Sequence, residues 1–345
     1  MKPQNKGASL GNKRAPTQKD VAELAGVSIM AVSTVVTGNK STVGVSEATR
    51  QRIQKAIDEL HYRPNIFARS LRLQRTGTVG FYNGLGYINT SDAFLRVIYH
   101  ALAVGLETND LDILVCIGIY KDRRNSLVER VLSQKIDGVI VLPTDQDTLL
   151  IEALKRKQVP SIMIVEPIPG LKSVTADDIG GSELLANHML EKGHRRFLYR
   201  RSAAPFQFEA LRFNAFQSVI EQSGGVVTPC TANDGMDNIT TDEETLLNEQ
   251  TGDGKITAMV CWRDHAAVRA LDYCSAKGIR VPDDVAIAGF DGIHYAGTHR
   301  DLTTVTAHWD VIAGKASELI ARMLKEEDIP DSTVIPASLH IGTTA

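Results

Sequence analysis

From Thr78 to Asp291 the chain alternates short apolar runs with amphipathic helical stretches, and few architectures accept that pattern. The apolar runs are TVGFY, DILVCIGI, DGVIVL and PSIMIV, then RRFLYR, ITAMVCW and DVAIAGFD. Helices are expected between them, around residues 94–109, 126–134 and 149–157 in the first half and 209–222 and 265–276 in the second. The runs are almost continuously apolar, so both faces of each strand must be covered, which is the pattern of parallel sheets flanked by helices. The scheme occurs twice. It predicts a bilobed α/β body with two parallel sheets, in which a ligand would sit at the carboxyl ends of the strands.

The 345 residues suffice for two or three cored units. No apolar run approaches the roughly 18 to 20 residues that cross a bilayer, so no membrane partner is expected. The N-terminus, MKPQNKGASLGNKRAP, is basic and polar; it does not resemble a secretory signal, and residues 1–16 are expected to be a disordered tail. Cys116, Cys230, Cys261 and Cys274 are scattered, with no Cys-x-x-Cys pair. Reduced buried thiols and a cytoplasmic location follow. The net charge of −3 hides an asymmetry: residues 1–75 carry 13 Lys+Arg against 5 Asp+Glu, and the remainder 25 against 36. A basic head on an acidic body implies nucleic acid as the partner of the head alone.

The head reads as a helix-turn-helix over TQKDVAELAGVSIMAVSTVVT, residues 17–37. Thr17 and Asp20 have capping-box spacing, and Val21, Leu24 and Ala25 share the apolar face of a first short helix. Gly26 suits the left-handed residue that ends it, and Ser28 can cap the second. Val32, Val35 and Val36 then face the first helix. Ile29, Met30, Ser33 and Thr34 are left outward, where recognition helices meet base edges. Two apolar residues there suit thymine methyl groups better than guanine. Ser46 opens a third helix with Ile53, Ala56, Ile57 and Leu60 as its buried face, and Pro64 is expected to end it. Next comes NIFARSLRLQR, with Asn65 as a cap and Arg69, Leu71, Arg72 and Arg75 following. A leucine between arginines is either a minor-groove wedge or part of a basic linker.

DVAELAGVS, VSEATRQRI, the Tyr-Arg-Pro-Asn turn and ARSL, in that order, resemble the LacI/GalR family of transcriptional repressors. The resemblance implies a helix-turn-helix domain over 17–63, a hinge over 64–76 and a periplasmic-binding-protein-like sensor and dimerisation body over 77–345. It implies that Thr17, Ser28, Ile29, Met30, Ser33, Thr34, Asn65, Arg69, Leu71 and Arg72 contact DNA, with Ile29 and Met30 in the place of the base-reading pair and Leu71 as the intercalating leucine. Thr34 stands where the family usually has an arginine, and loop 38–45 is longer than in many members. The last segments, LTTVTAHWD, IAGKASELIARMLKEE and TVIPASLHIGTT, resemble crossings between lobes. They divide the body into one lobe of about 77–174 and 305–330 and another of about 175–304 and 331–345.

Polar residues just past strand ends are the pocket candidates: Glu166 after SIMIV, Arg263 and Asp264 after AMVCW, and Asp291 after IAGF. By the resemblance, Arg212 matches the arginine of an Arg-x-x-Gly-Phe pattern, with Ala215 in the glycine's place, and Asp291 is the acid after Gly-Phe. Arg263–Asp264 replaces an Asn-Asp pair, and Glu166 stands near a usual aspartate. Phe94 joins this set at the start of the helix after the first strand. Carboxylates and guanidinium groups suit hydroxyl-rich ligands, since each can bind two hydroxyls at once. Trp262 either stacks on a sugar face or fills the core, and each charged residue has a surface or interlobe ion pair as its alternative. Arg263 in the asparagine's place extends the expected effector from a sugar to a sugar acid or phosphosugar.

Other classes fit poorly. A solute-binding protein for transport has no use for residues 17–75. No G-x-S-x-G, P-loop, H-E-x-x-H or paired Cys/His spacing suggests an enzyme, a metal or a cofactor, and the Gly84–Gly86 pair completes no dinucleotide fingerprint. The expected protein is a homodimer whose paired heads read a palindromic or near-palindromic DNA operator and whose body binds a carbohydrate-like effector.

Overall fold

The computed structural model describes residues 14–37, 44–64, 75–85, 92–117, 135–231, 238–248, 255–294 and 300–345. It comprises two compact units, Met1–Thr76 and Gly77–Ala345.

The head holds α1 (Gln18–Ala25), α2 (Ile29–Thr37) and α3 (Glu47–Leu60). Its start follows from the sequence: Asp20 N–H donates to the Thr17 hydroxyl, and Asp20 accepts from the Thr17 N–H at 2.6 Å. Gly26 takes φ 63° and turns the chain into α2, where Ser28 Oγ accepts from Ala31 N–H at 3.2 Å. Val21, Ala22, Ala25, Val32, Ile53, Ala56 and Tyr62 form the core, with Val35, Val36, Ile57 and Leu60 packed partly against it. Two expectations are corrected. Leu24 is exposed, and Ala22 takes its place inside, because α1 rests on α3 as well as α2. Helix α3 ends at His61 in the left-handed region (φ 49°), before Pro64 can act; the chain then folds Tyr62 back into the core.

The body holds β1 (Thr78–Asn83), α4 (Ala93–Glu107), β2 (Asp112–Ile117), β3 (Gly138–Leu142), α5 (Thr148–Lys157), β4 (Ser161–Ile164) and β5 (Lys172–Ala176). The second half holds α6 (Asp178–Glu191), β6 (Arg196–Arg201), α7 (Gln207–Gln222), β7 (Val226–Thr231), α8 (Thr241–Asn248), β8 (Ala258–Cys261), α9 (Asp264–Lys277), β9 (Ala286–Asp291) and β10 (Thr303–Thr306). Then come α10 (Trp309–Leu324), β11 (Ser332–Ile335) and β12 (Ser338–His340). The helix expected over 126–134 lies outside the described residues.

The two sheets have the same plan, β2-β1-β3-β4-β5-β11 and β7-β6-β8-β9-β10-β12. Every pairing is parallel except β10 with β12. Strand parity explains why the runs are apolar throughout. Val79, Phe81, Ile140, Leu142, Ile162 and Ile164 join one core, while Tyr82, Val139, Val141 and Met163 meet α5 residues Leu150 and Leu154 on the other face. Each such fully buried side chain stabilises the fold by about 1.5–3 kcal/mol relative to exposure.

The lobe boundaries differ from the expected ones. β10 belongs to the second sheet through Thr306, so the chain returns to the first lobe only at α10, which packs on α4. β11 pairs with β5 of the first sheet, so the last crossing falls after Ile335 rather than at 331.

Candidate functional site

In each sheet the connections diverge on either side of the β1/β3 and β6/β8 pairs, and the crevice at a parallel sheet opens at such points, beyond the strands' carboxyl ends. Helix α7 carries Arg212, only 1% exposed, to this level. Its Nε donates to Asp178 Oδ1 at 2.7 Å, and Nη1 donates to Trp262 O at 2.9 Å and to Asp291 Oδ1 at 3.3 Å. The guanidinium carbon lies 3.6 Å from the Phe290 ring centroid and 4.8 Å from that of Phe208. Burial opposes its charge, but Asp178 and then Asp291 outweigh that and hold its pKa above the ordinary value. Arg212 Nη2 is buried with no hydrogen-bond partner among the described residues, and Trp262 Nε1 is likewise.

Asp291 ends β9 with φ 125°, a strained conformation for a side-chain-bearing residue, and burial pushes its carboxyl up to about 6 against the pull of Arg212 and Arg263. Asp178 is also raised by burial, with Arg212 opposing. Trp262 is buried in the core, 6% exposed; its ring lies 6.1 Å from Phe206 and 6.3 Å from Phe208, and the Arg263 guanidinium lies 4.5 Å over it. Phe94 stands edge-to-face with Trp309 at 5.1 Å in the first lobe.

Two candidates have other tasks. Asp264 is wholly buried, and its two oxygens accept from Ile293 N–H at 2.6 Å and from the Thr304 hydroxyl at 2.5 Å. Burial, then Asp291, raises its carboxyl well above the usual range. Gly289 makes room for it, since a Cβ there would strike Asp264 Oδ1. Asp264 therefore ties the loop after β9 to β10 instead of facing the cleft. Glu166 reaches from the end of β4 to the start of α7, where it accepts from Gln207 N–H at 2.9 Å and Phe208 N–H at 3.4 Å. Burial raises its carboxyl, against those two hydrogen bonds.

Sequence reading missed Asp178, Phe206 and Phe208. The acid just past SVTA and the rings of PFQF before α7 were the available signals. It also missed the ion pair of Arg200 and Glu243, both fully buried, in which Arg200 Nε lies 2.6 Å from Glu243 Oε1 and Nη1 donates to Ala266 O. That pair braces α8 and α9 within the second lobe.

In the head, Ile29 and Met30 are 49% and 67% exposed at the start of α2, the unpartnered apolar face expected of base contacts. Ser33 and Thr34 are half-buried, and Thr34 Oγ1 donates to Met30 O at 2.9 Å. Thr17 and Ser28 are engaged in capping. Asn65, Arg69, Leu71 and Arg72 lie outside the described residues. Among the described residues no helix is long and apolar enough to cross a membrane.

A helix-turn-helix head on a two-lobed α/β body with a polar, aromatic-lined cleft defines a ligand-responsive DNA-binding transcriptional regulator. The profile of bacterial regulatory proteins of the lacI family matches residues 17–65, and that of periplasmic binding protein-like domains matches residues 186–345. The chain is 28% identical over 331 residues to the HTH-type transcriptional regulator GalR of Escherichia coli (strain K12), covering 92% of each. It is 28% identical over 327 residues to the HTH-type transcriptional repressor PurR of Vibrio atlanticus (strain LGP32), covering 90% of this chain and 93% of that protein. Its fold matches the Lac repressor dimer bound to operator and an anti-inducer with a TM-score of 0.81 at 20% identity, over 96% of this chain and 99% of that one. A complex of the regulator CelR with cellobiose matches with a TM-score of 0.66 at 24% identity, over 96% and 100%. Residues 17–65 are thus a lacI-family DNA-binding domain and residues 186–345 a periplasmic binding protein-like domain, in a chain similar over nine-tenths of its length to transcriptional regulators named GalR and PurR.

Proposed function

We propose that this chain is a dimeric cytoplasmic repressor that reads a near-palindromic operator and releases or grips it on binding a neutral, ring-shaped, hydroxyl-rich effector in the cleft of its body. It acts by binding, with no turnover of the effector. The observation that carries the effector class is the pair of buried donors, Arg212 Nη2 and Trp262 Nε1, beside the Phe206–Phe208–Trp262 wall. Donors without acceptors call for a ligand rich in acceptor oxygens, and aromatic rings suit the apolar face of a sugar ring. Asp291 supplies an acceptor for hydroxyl protons.

Arg263 raised the alternative of an acidic effector. Its guanidinium is stacked on Trp262, and the carboxyls Glu166, Asp178 and Asp291 outnumber Arg212 and Arg263 here. An added anion would meet net repulsion, so the neutral class is favoured. Calorimetry with matched neutral sugars, sugar acids and sugar phosphates separates the readings: binding confined to the anionic members would refute the neutral one. Selection of bound duplexes from a random pool, with and without the sugar that binds, then gives the operator and the direction of control.

In the head, Ile29 and Met30 are assigned to base contact, with Ser33 and Thr34 alongside. Leu71 is assigned as a minor-groove wedge, flanked by phosphate contacts from Arg69 and Arg72.

A further inference from the structure

Helix α7 has an unusual beginning. Its N-cap position is Phe206, whose side chain makes no capping hydrogen bond, although a helix N-terminus leaves its first N–H groups without intrahelical acceptors. The acceptor comes from the other lobe. Glu166, which follows β4 of the first sheet, places Oε1 at 2.9 Å from Gln207 N and Oε2 at 3.4 Å from Phe208 N. The backbone aims it there: Val165 has φ 71°, rare for a β-branched residue, and Glu166 N–H donates to Ile164 O at 2.8 Å, closing a tight turn at the strand end. That strain is retained where it directs a carboxylate across the cleft at the positive end of a 16-residue helix.

We infer that Glu166 is an interlobe latch, serving as the N-cap of α7 and so tying closure of the two lobes to the ordering of that helix's first turn. α7 is the element that carries Arg212, and it packs along α6, the helix that carries Asp178. When the lobes part, Gln207 and Phe208 lose their acceptor, and no capping side chain of the second lobe replaces it at Phe206. The latch therefore favours the closed cleft before any ligand arrives, and it ties the first lobe to the helix that holds the central guanidinium. The inference concerns the cleft that the functional reading assigns to an effector. Its test uses neither ligand nor DNA, so either reading can fail without the other.

Two measurements on the full chain decide it. Hydrogen exchange reports the amides of α7's first turn. Pulsed dipolar spectroscopy reports the lobe separation between spin labels at L149C on α5 and V226C on β7, both exposed positions, in a C230S background with the three buried thiols left in place. In E166A the first turn of α7 should exchange about five- to tenfold faster, while β6 keeps its protection, and the label distance should lengthen or broaden. E166Q keeps an acceptor oxygen but loses the charge, and should move both readings part of the way. The latch stands only if both readings move. Faster exchange at an unchanged distance would reduce Glu166 to a local cap, and a changed distance without faster exchange would mean another contact holds the lobes; each overturns the inference. Should E166A fail to fold, the same two readings on E166Q decide.

Discussion

Asp291 concentrates the competing demands on the cleft. It closes the hydrogen-bond set of Arg212, sits in a strained backbone conformation and is titrated up to about 6 by burial. A carboxyl whose folded pKa lies above its unfolded value costs stability because the unfolded chain ionises first, so the cost is absent below the unfolded pKa, grows between the two values and is complete above the folded one. Asp291→Asn removes that titration while keeping the shape. Relative to the parent chain, the variant should therefore gain about 1–2 kcal/mol on going from about pH 5 to about pH 7.5, read by urea unfolding at both. Its affinity for the sugar found by calorimetry should fall at least about tenfold, because a charged acceptor of hydroxyl protons is gone. A pH-independent difference between the two chains would show that Asp291 is ionised alike in the folded and unfolded states.

Among the elements, α3 shows where local sequence signals stop. Its start was legible in Ser46, whose hydroxyl caps Thr49 N–H at 3.3 Å, but its end was not. The chain offers no glycine there, and His61 adopts φ 49° because the packing of Tyr62 demands the turn. His61→Gly should relieve that strain and stabilise the head by about 0.5–1 kcal/mol, seen as about two- to fivefold slower exchange of the Ile53 and Ala56 amides. Unchanged exchange would place the strain elsewhere. Most strands and helices of the body were legible because periodicity is a local property, but β5, α6, β7 and α8 were not among those expected. The register of the last crossing was not: only Pro336 and Ala337 separate β11 from β12, and nothing in so short a stretch says which sheet each joins. The cleft was legible where a charged residue ends a strand, as at Asp291. It was not legible where a contact joins distant segments: Glu166 and Gln207 are 41 residues apart, and both oxygens of Asp264 are consumed by partners no local pattern announces.

For the whole molecule, the division at Gly77 separates a basic unit that meets DNA from an acidic one that meets the effector. Each unit has a core of its own, so residues 77–345 should fold without the head. The cleft is built wholly from that body, from Glu166 to Asp291, so its affinity for the effector in the absence of DNA should match the full chain's within about twofold. A body that misfolds, or binds about tenfold more weakly, would mean that residues 1–76 help to build the site. Adding a selected operator duplex then exposes the coupling. Linkage requires DNA to change effector affinity by the same factor as the effector changes DNA affinity, commonly about 5- to 150-fold. In the full chain, saturating operator should shift the effector isotherm by that factor, to weaker binding if the effector releases DNA and to tighter binding if it strengthens repression. In the body alone the same duplex should shift nothing. One titration pair thus measures the sign and size of control, and an operator that leaves the full chain's isotherm unmoved would show that the bound sugar is not the physiological effector.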